Sequence, residues 1–426
     1  MAMETPARVA VLGAGPIGLE TALYARYLGY DVDVYERGRV AENVLRWGHA
    51  RMFSPFGINR SPLGLAALKA QDGSWNPPAD DGLLTGREFA EAYLLPLAQS
   101  DLLAEGLHEE TEVVSIGRDG PLKGELVGDE NRGEAAFRIL LLSTRPGDHG
   151  RQRIASADVV IDTTGTYGNP NWLGHGGIPA LGELDARTHV EYGLSDVLGA
   201  DRDHYASRRT LLIGAGCTAA TNLVALAELA GQAPDTWITW VTRGECDEKS
   251  PQPIRALPDD PLRERARLAR TANRLAADDA NHITFFSGTM VDALSWHADL
   301  ERFSVRLLGK HAGEFEFDRV IANVGFRPDN RIYGELQVRE CFATGGPLKL
   351  ARALAAQSGP AGLDQPACDA ETLVHPEPDF YILGAKSYGR DSRFLISSGL
   401  EQIRELFTIL ADRADLNLYA TMAGLY

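Results

Sequence analysis

The chain is short of cysteine, and the four it has are scattered: Cys217, Cys246, Cys341 and Cys368 form no C-x-x-C and have no histidine nearby at metal-ligand spacing. That argues against a thiol-disulfide relay, which needs a close cysteine pair, and against a zinc site; they read as reduced structural thiols and no metal is expected. Basic runs of five or more residues are missing as well, and the formal net charge is −17, so there is no electrostatic footprint for nucleic acid. No apolar run approaches the roughly 20 residues of a spanning helix, and the apolar opening at Val9 is broken by glycines and continues directly into the fold. The expectation is a protein without membrane or nucleic-acid partners, without a signal peptide, and located in the cytoplasm.

What remains is ordinary globular material. With 426 residues, 44% hydrophobic and 24% charged, there is enough for two cores, and two interleaved domains are expected. The organising stretch is Arg8 to Glu36. Val9 to Leu12 are apolar and partly β-branched, as in a buried parallel strand, and Gly13-Ala-Gly15-Pro16-Ile17-Gly18 supplies a G-x-G-x-x-G turn. Gly13 permits the tight turn, Gly15 lets a pyrophosphate approach the backbone, and Gly18 lets the following helix pack on the strand. Gly29 ends that helix, and Asp31 to Tyr35 alternate into a second strand closing on Glu36, whose carboxylate can accept both ribose hydroxyls of a dinucleotide, with Arg37 beside it. Which dinucleotide is open at this point.

Asn43 to Gly57 is aromatic, glycine-rich and poorly periodic, and reads as a loop. Trp47, Met52 and Phe53 either pack in the core or wall a flat aromatic cofactor, with Arg51 near its phosphates. Thr85-Gly-Arg-Glu88 reads as a capped helix start, followed by an apolar stripe through Leu97. Strands are expected at Glu112 to Ile116, carrying Val113, and at Phe137 to Leu142; Arg118 to Leu122 and Gly128 to Gly133 read as hairpin connections or surface loops. Ala157 to Gly165 is a short buried strand ending in small residues, Thr164 and Gly165 among them. Tyr167 to Pro179 has too many glycines and prolines for regular structure. Such a strand-to-loop exit is where ligands sit in open α/β sheets.

Arg209 to Ala219 repeats the opening plan, with strand Thr210 to Ile213, the turn Gly214-Ala-Gly216-Cys-Thr218-Ala219, a helix through Leu229, and a strand from Trp237 to Thr242. This copy ends in Arg243 where the first ended in Glu36. An arginine there pairs bidentately with a ribose 2′-phosphate or is a solvated strand-end cation. A helix over Pro261 to Ala277 and strands near Ile283 to Phe286, Phe303 to Leu307 and Arg319 to Val324 complete this copy. Residues 342 to 370 read as a covering loop with one helix around Pro347 to Gln357. Asp379 to Gly384 forms a last strand, followed by a loop to Arg393 and a helix from about Ser397 through Leu410, which opens Ser397-Ser-Gly-Leu-Glu-Gln402 and whose N-terminal amides can face an electron-rich group.

Two such fingerprints, separated by a strand ending in Thr-Gly and followed by a terminal strand-Gly-loop-helix, resemble the two-dinucleotide-binding-domain flavoproteins. The resemblance implies an α/β fold with two Rossmann-like domains, the second inserted in the first: residues 1–180 and 326–426 binding FAD, and 181–325 binding NADPH, with NADH second. It implies that Gly165 and Gly325 lie in linkers between the domains and that Gly384 contacts the flavin. Trp47-x-His49-x-x-Met52 is similar to a flavin-contact loop of amine N-hydroxylases, and Gly165, Pro170, Gly182 and His189 loosely resemble the flavin-containing monooxygenase signature. The function so implied is oxygen transfer from O2 to a small-molecule substrate through a flavin C4a-(hydro)peroxide. A reductase or oxidase without oxygen insertion and a flavin-bearing redox sensor are the alternatives. His189, Arg51 and Lys386 are the candidate catalytic groups; Lys386 stands where relatives often place an acid and is either a cation toward the flavin or a solvated loop lysine. A homodimer is compatible with this plan.

Overall fold

The structure, a computed structural model, describes residues 7–247, 250–257, 259–278, 282–357 and 368–423. The chain divides into two compact units. The first comprises Met1–Gly48, Ser54–Asn169 and Arg327–Tyr426, and the second His49–Phe53 and Pro170–Phe326. Apart from the short segment His49–Phe53, the chain passes from the first unit to the second after Asn169 and returns after Phe326.

In the first unit the strands β1 (Arg8–Leu12), β2 (Asp31–Tyr35), β3 (Leu107–His108), β7 (Val159–Asp162) and β15 (Phe380–Ile382) form a parallel sheet in the order β15-β7-β1-β2-β3. β1 and β7 are buried almost throughout, which is why they read as continuous apolar runs. The helix Pro16–Tyr27 crosses between β1 and β2 and stops where Gly29 takes a φ of +88°. A second, antiparallel sheet joins β4 (Thr111–Arg118), β5 (Phe137–Ser143) and β6 (Gln152–Ala157). Its apolar face, with Ile116, Phe137, Ile139 and Leu141, packs into one core with Leu12, Val160 and Phe380.

The second unit repeats the scheme. A parallel sheet of β8 (Arg209–Ile213), β9 (Trp237–Val241), β10 (Ile283–Phe286) and β14 (Arg319–Ala322) runs β10-β9-β8-β14, and an antiparallel sheet carries β11 (Thr289–His297), β12 (Arg302–Gly309) and β13 (Gly313–Phe317). The helices Cys217–Gln232 and Arg263–Ala276 pack against Leu212, Ile238 and Trp240.

Several local expectations need correcting. Within the stretch read as a loop from Asn43, residues Glu42–Arg46 and Phe56–Asn59 are short helices, and Ser61 caps a further helix, Pro62–Gln71, by accepting from the Gly64 amide at 2.7 Å. The Thr85 capping box is formed as expected. Arg118 and Arg132, expected in surface connections, are buried, and both guanidiniums pair with Glu377 at 2.7 and 3.0 Å. The residues after Gly384 form a 3-10 turn, Gly384–Tyr388, and the helix expected near Pro347 is Leu348–Ala356. Most of the covering loop expected after it, residues 358–367, lies outside the described residues. No helix among the described residues is long and apolar enough to cross a membrane.

Candidate functional site

The first turn follows β1 with the geometry its glycines demand. Gly13 has a φ of +94°, and a Cβ there would stand 3.2 Å from the Thr163 carbonyl oxygen. At Gly18 a Cβ would overlap the Gly13 carbonyl oxygen, so only glycine lets the helix seat this close to β1. At Gly15 the space is open, with nothing within 4 Å of the Cβ position. Gly15 is also the residue before the helix, which has Pro16 in its first turn and no side-chain cap. Unused amides and the positive end of the helix dipole therefore face that open space, a combination suited to phosphate.

Glu36 lies beside this turn. One carboxylate oxygen accepts from the Ala14 amide and the other from the Gly38 amide, both at 2.8 Å, so the side chain is aimed and fixed, with lone pairs left over for further donors. Ile17 is buried and packs on the last elements of the chain, since a Cβ at Gly384 or Gly399 would meet its side chain. Arg37 is exposed, Val113 sits at a register shift in β4, and Trp47 packs over Gly86 with its indole N–H unpartnered among the described residues.

At the end of β7 the structure departs from expectation. Lys386 is neither solvated nor a free cation: its side chain is 1% exposed, and Nζ donates to Asp162 Oδ2 at 2.6 Å and to Thr164 Oγ1 at 3.1 Å. The ammonium also lies 5.1 Å from the ring centroid of Tyr333. Thr164 in turn donates to Asp162 Oδ1 at 2.7 Å, and Gly165 then turns with a φ of +68°. Gln402 is also turned inward, accepting from the Gly384 amide at 2.8 Å and donating to Ser387 Oγ at 2.9 Å. It holds the Gly384 turn, and its side chain is fully buried. Asp162, Tyr333 and Ser387 are members of this cluster that sequence reasoning missed. One signal was available: a carboxylate ending the apolar run Val159-Val-Ile-Asp162 needs a buried partner.

In the second unit Gly214 has a φ of +133°, and a Cβ there would overlap the Asn323 carbonyl oxygen. Gly216 is open and precedes an uncapped helix. Ala219, in place of the third glycine, is fully buried with its methyl 3.5 Å from the Gly214 Cβ position. Thr218 lies in the first turn of the helix, and Gly325 turns with a φ of +85° beside Asn171. Arg243, two residues past β9, is exposed. His189 is exposed too, but its ring stacks on Trp296 at 4.5 Å, a packing contact. Gly182 has a structural reason of its own, because a Cβ there would overlap the Leu294 carbonyl oxygen. His49, Arg51 and Met52 fall in the segment that groups with this second unit, apart from Trp47 in the first.

No protein-family model and no curated protein matches the chain. Solved structures do. The chain is similar to the bacillithiol disulfide reductase Bdr (YpdA) from Bacillus cereus, with 17% identity, a TM-score of 0.67, and coverage of 96% of this chain and 99% of that one. The fold is that of the two-dinucleotide-binding-domain flavoproteins. Further structures with this fold include DfoA bound to FAD, the cadaverine monooxygenase of desferrioxamine biosynthesis from Erwinia amylovora, at 13% identity and a TM-score of 0.62 over 96% of this chain and 95% of that one. The ornithine N-hydroxylase KtzI from Kutzneria sp. 744, in a complex with reduced FAD, NADP+ and L-ornithine, shares 16% identity with a TM-score of 0.61, covering 96% of this chain and 99% of that one.

Proposed function

We propose that this chain is an FAD-dependent, NADPH-using monooxygenase that transfers one oxygen atom of O2 to a small-molecule substrate. The observation that carries the reading is the occurrence of two open glycine turns at uncapped helix starts, one beside Glu36 and the other before Arg243, in a chain whose four cysteines are all free thiols. The first turn suits FAD. The open face of Gly15 admits a pyrophosphate against the helix start, and the Glu36 carboxylate, pre-set by two amides, keeps acceptor capacity for ribose hydroxyls. The second suits NADPH, with Gly216 open to the pyrophosphate and Arg243 offering a charge-assisted fork to the 2′-phosphate.

A flavin held at the Gly13–Gly18 turn and by Glu36 would supply the redox chemistry, hydride acceptance from NADPH and electron delivery to O2. The chain's own residues bind, orient and enclose. Ile17 packs beneath Gly384 and Gly399, Gln402 fixes the Gly384 turn, and the Lys386–Asp162–Thr164 cluster pins the end of β7 to that turn. We assign Lys386 a positioning role, since its ammonium is already neutralised by Asp162.

A second reading, a NAD(P)H-dependent reductase or oxidase that inserts no oxygen, has the likeness to Bdr on its side. Stopped-flow mixing of NADPH-reduced protein with O2 separates the two. A transient spectrum distinct from oxidised and reduced flavin supports oxygenation. Single-phase return to the oxidised spectrum overturns it in favour of the reductase or oxidase.

A further inference from the structure

The two glycine turns are built alike up to their first glycine and differently just after it. In the first turn Gly13 donates to the Tyr35 carbonyl at 2.8 Å, and its own carbonyl accepts from Thr163 Oγ1 at 3.2 Å, a hydroxyl shared with the Leu12 carbonyl at 2.7 Å. The next amide, that of Ala14, is taken by Glu36. In the second turn Gly214 donates to the Val241 carbonyl at 3.1 Å, the equivalent contact. Its carbonyl, however, accepts from the indole N–H of Trp240 at 2.8 Å, and where Trp240 stands the first unit has Val34, which offers no side-chain donor. No carboxylate takes the following amide. Thr242 follows Val241 as Glu36 follows Tyr35, but its hydroxyl is turned to the Gly244 carbonyl at 3.3 Å, and the Ala215 N–H has no partner among the described residues.

Gly214 is thus held at both of its polar groups by two consecutive residues of β9. Trp240 is fully buried and its ring packs on Phe285 with centroids 4.9 Å apart, so the indole is locked in place and its N–H, a donor only, is committed to this carbonyl. In a planar trans peptide the C=O and N–H point in opposite directions. Pinning the Gly214 carbonyl on Trp240 therefore turns the Ala215 N–H away from the indole, and Ala215 and Gly216 are both exposed. The result is a donor without an acceptor, next to the open Gly216 and the uncapped start of the helix Cys217–Gln232.

We propose that Trp240 is a positioning residue for the coenzyme, its indole fixing the Gly214–Ala215 peptide so that the Ala215 amide donates to the coenzyme pyrophosphate. The inference rests on the reading of this turn as the NADPH site. Pyrophosphate is common to NADPH and NADH, so the contribution of Trp240 is shared by both coenzymes, whereas that of Arg243 falls on the 2′-phosphate alone. The first turn is untouched, because its carbonyl is held by Thr163 and its corresponding amide by Glu36.

The test is calorimetric titration of the FAD-loaded, full-length protein with NADP+ and with NAD+, alongside the anaerobic rate of flavin reduction by NADPH. Trp240→Phe keeps an aromatic ring and removes the donor. It should raise the dissociation constants of both nucleotides by a common factor of about three to ten, the worth of one hydrogen bond, and leave the limiting reduction rate and the FAD content unchanged. Phe285→Leu is the control: it loosens the packing around Trp240 and lowers the melting temperature but keeps the indole donor, so both dissociation constants should stay as they are. Unchanged binding in Trp240→Phe, weakening confined to NADP+, or equal weakening by Phe285→Leu would overturn the positioning role and leave the coenzyme assignment intact. Wild-type protein that binds neither nucleotide would overturn the assignment and the role with it.

Discussion

Removing the Lys386 ammonium would strand the Asp162 carboxylate, because the two meet at 2.6 Å and neither side chain is more than 1% exposed. A buried charge left without its partner costs about 3–5 kcal/mol, whereas removing both charges costs far less. Lys386→Met should therefore lower stability by about that amount in urea unfolding, and adding Asp162→Asn should recover much of it. Equal losses in the single and double variants would show that the pair is not what holds β7 to the Gly384 turn. The neighbouring prediction concerns Glu36, whose oxygens are fixed by the Ala14 and Gly38 amides. Glu36→Arg replaces an aimed acceptor by a cation, and the purified variant should lose most of its FAD; full FAD occupancy would sink the assignment of this turn.

At the scale of elements, close approach and burial decide. Gly18→Ala should unseat the first helix from β1, since its methyl would overlap the Gly13 carbonyl oxygen, and both stability and FAD content should fall. The same helix carries Glu20, buried beneath the C-terminal helix Leu418–Ala423, whose Leu418 amide donates to the Tyr24 hydroxyl at 3.0 Å. Burial pushes the Glu20 carboxyl up to about 7 from its ordinary 4.5, partly offset by neighbouring Ser61 and tyrosine hydroxyls. The folded chain then keeps a proton that the unfolded chain gives up. Stability from this group is full below about pH 4.5 and declines as pH rises toward 7, by roughly 3 kcal/mol. Glu20→Gln should flatten the dependence of urea-unfolding stability between pH 5 and 7; an unchanged slope would place the titration elsewhere.

Elements of this kind differ in how far they can be read in advance. The βαβ units were legible because strand, glycine turn, helix and strand are consecutive, and Gly13, Gly18 and Gly214 answer local steric demands. β6 was not, because Gln152–Ala157 is largely exposed and polar and carries no apolar run. β11 and β13 escaped for a related reason, since each buries one face alone and alternates with exposed residues. The buried ion clusters could not be read locally: Lys386 and Asp162 are 224 positions apart, and Arg118 and Glu377 are 259 apart. Only the fold brings them together, so Lys386 looked like a loop cation and Arg118 like a turn residue.

At the scale of the whole molecule, two glycine turns of one design carry opposite charges, Glu36 by the first and Arg243 after the second. A carboxylate repels a 2′-phosphate and an arginine grips it, so this difference would assign one cofactor to each unit. Arg243→Ala should raise KM for NADPH, a loss of about 1.5–3 kcal/mol in kcat/KM, while scarcely changing NADH. Equal effects on both coenzymes would make Arg243 a surface cation. The most direct measurement is anaerobic mixing of the purified protein with NADPH and, separately, NADH, followed by the absorbance of oxidised flavin. The account predicts a yellow protein that releases FAD on denaturation and is bleached by NADPH at lower concentration than by NADH. A colourless protein that takes up no FAD, or a flavin that neither coenzyme reduces, would contradict it.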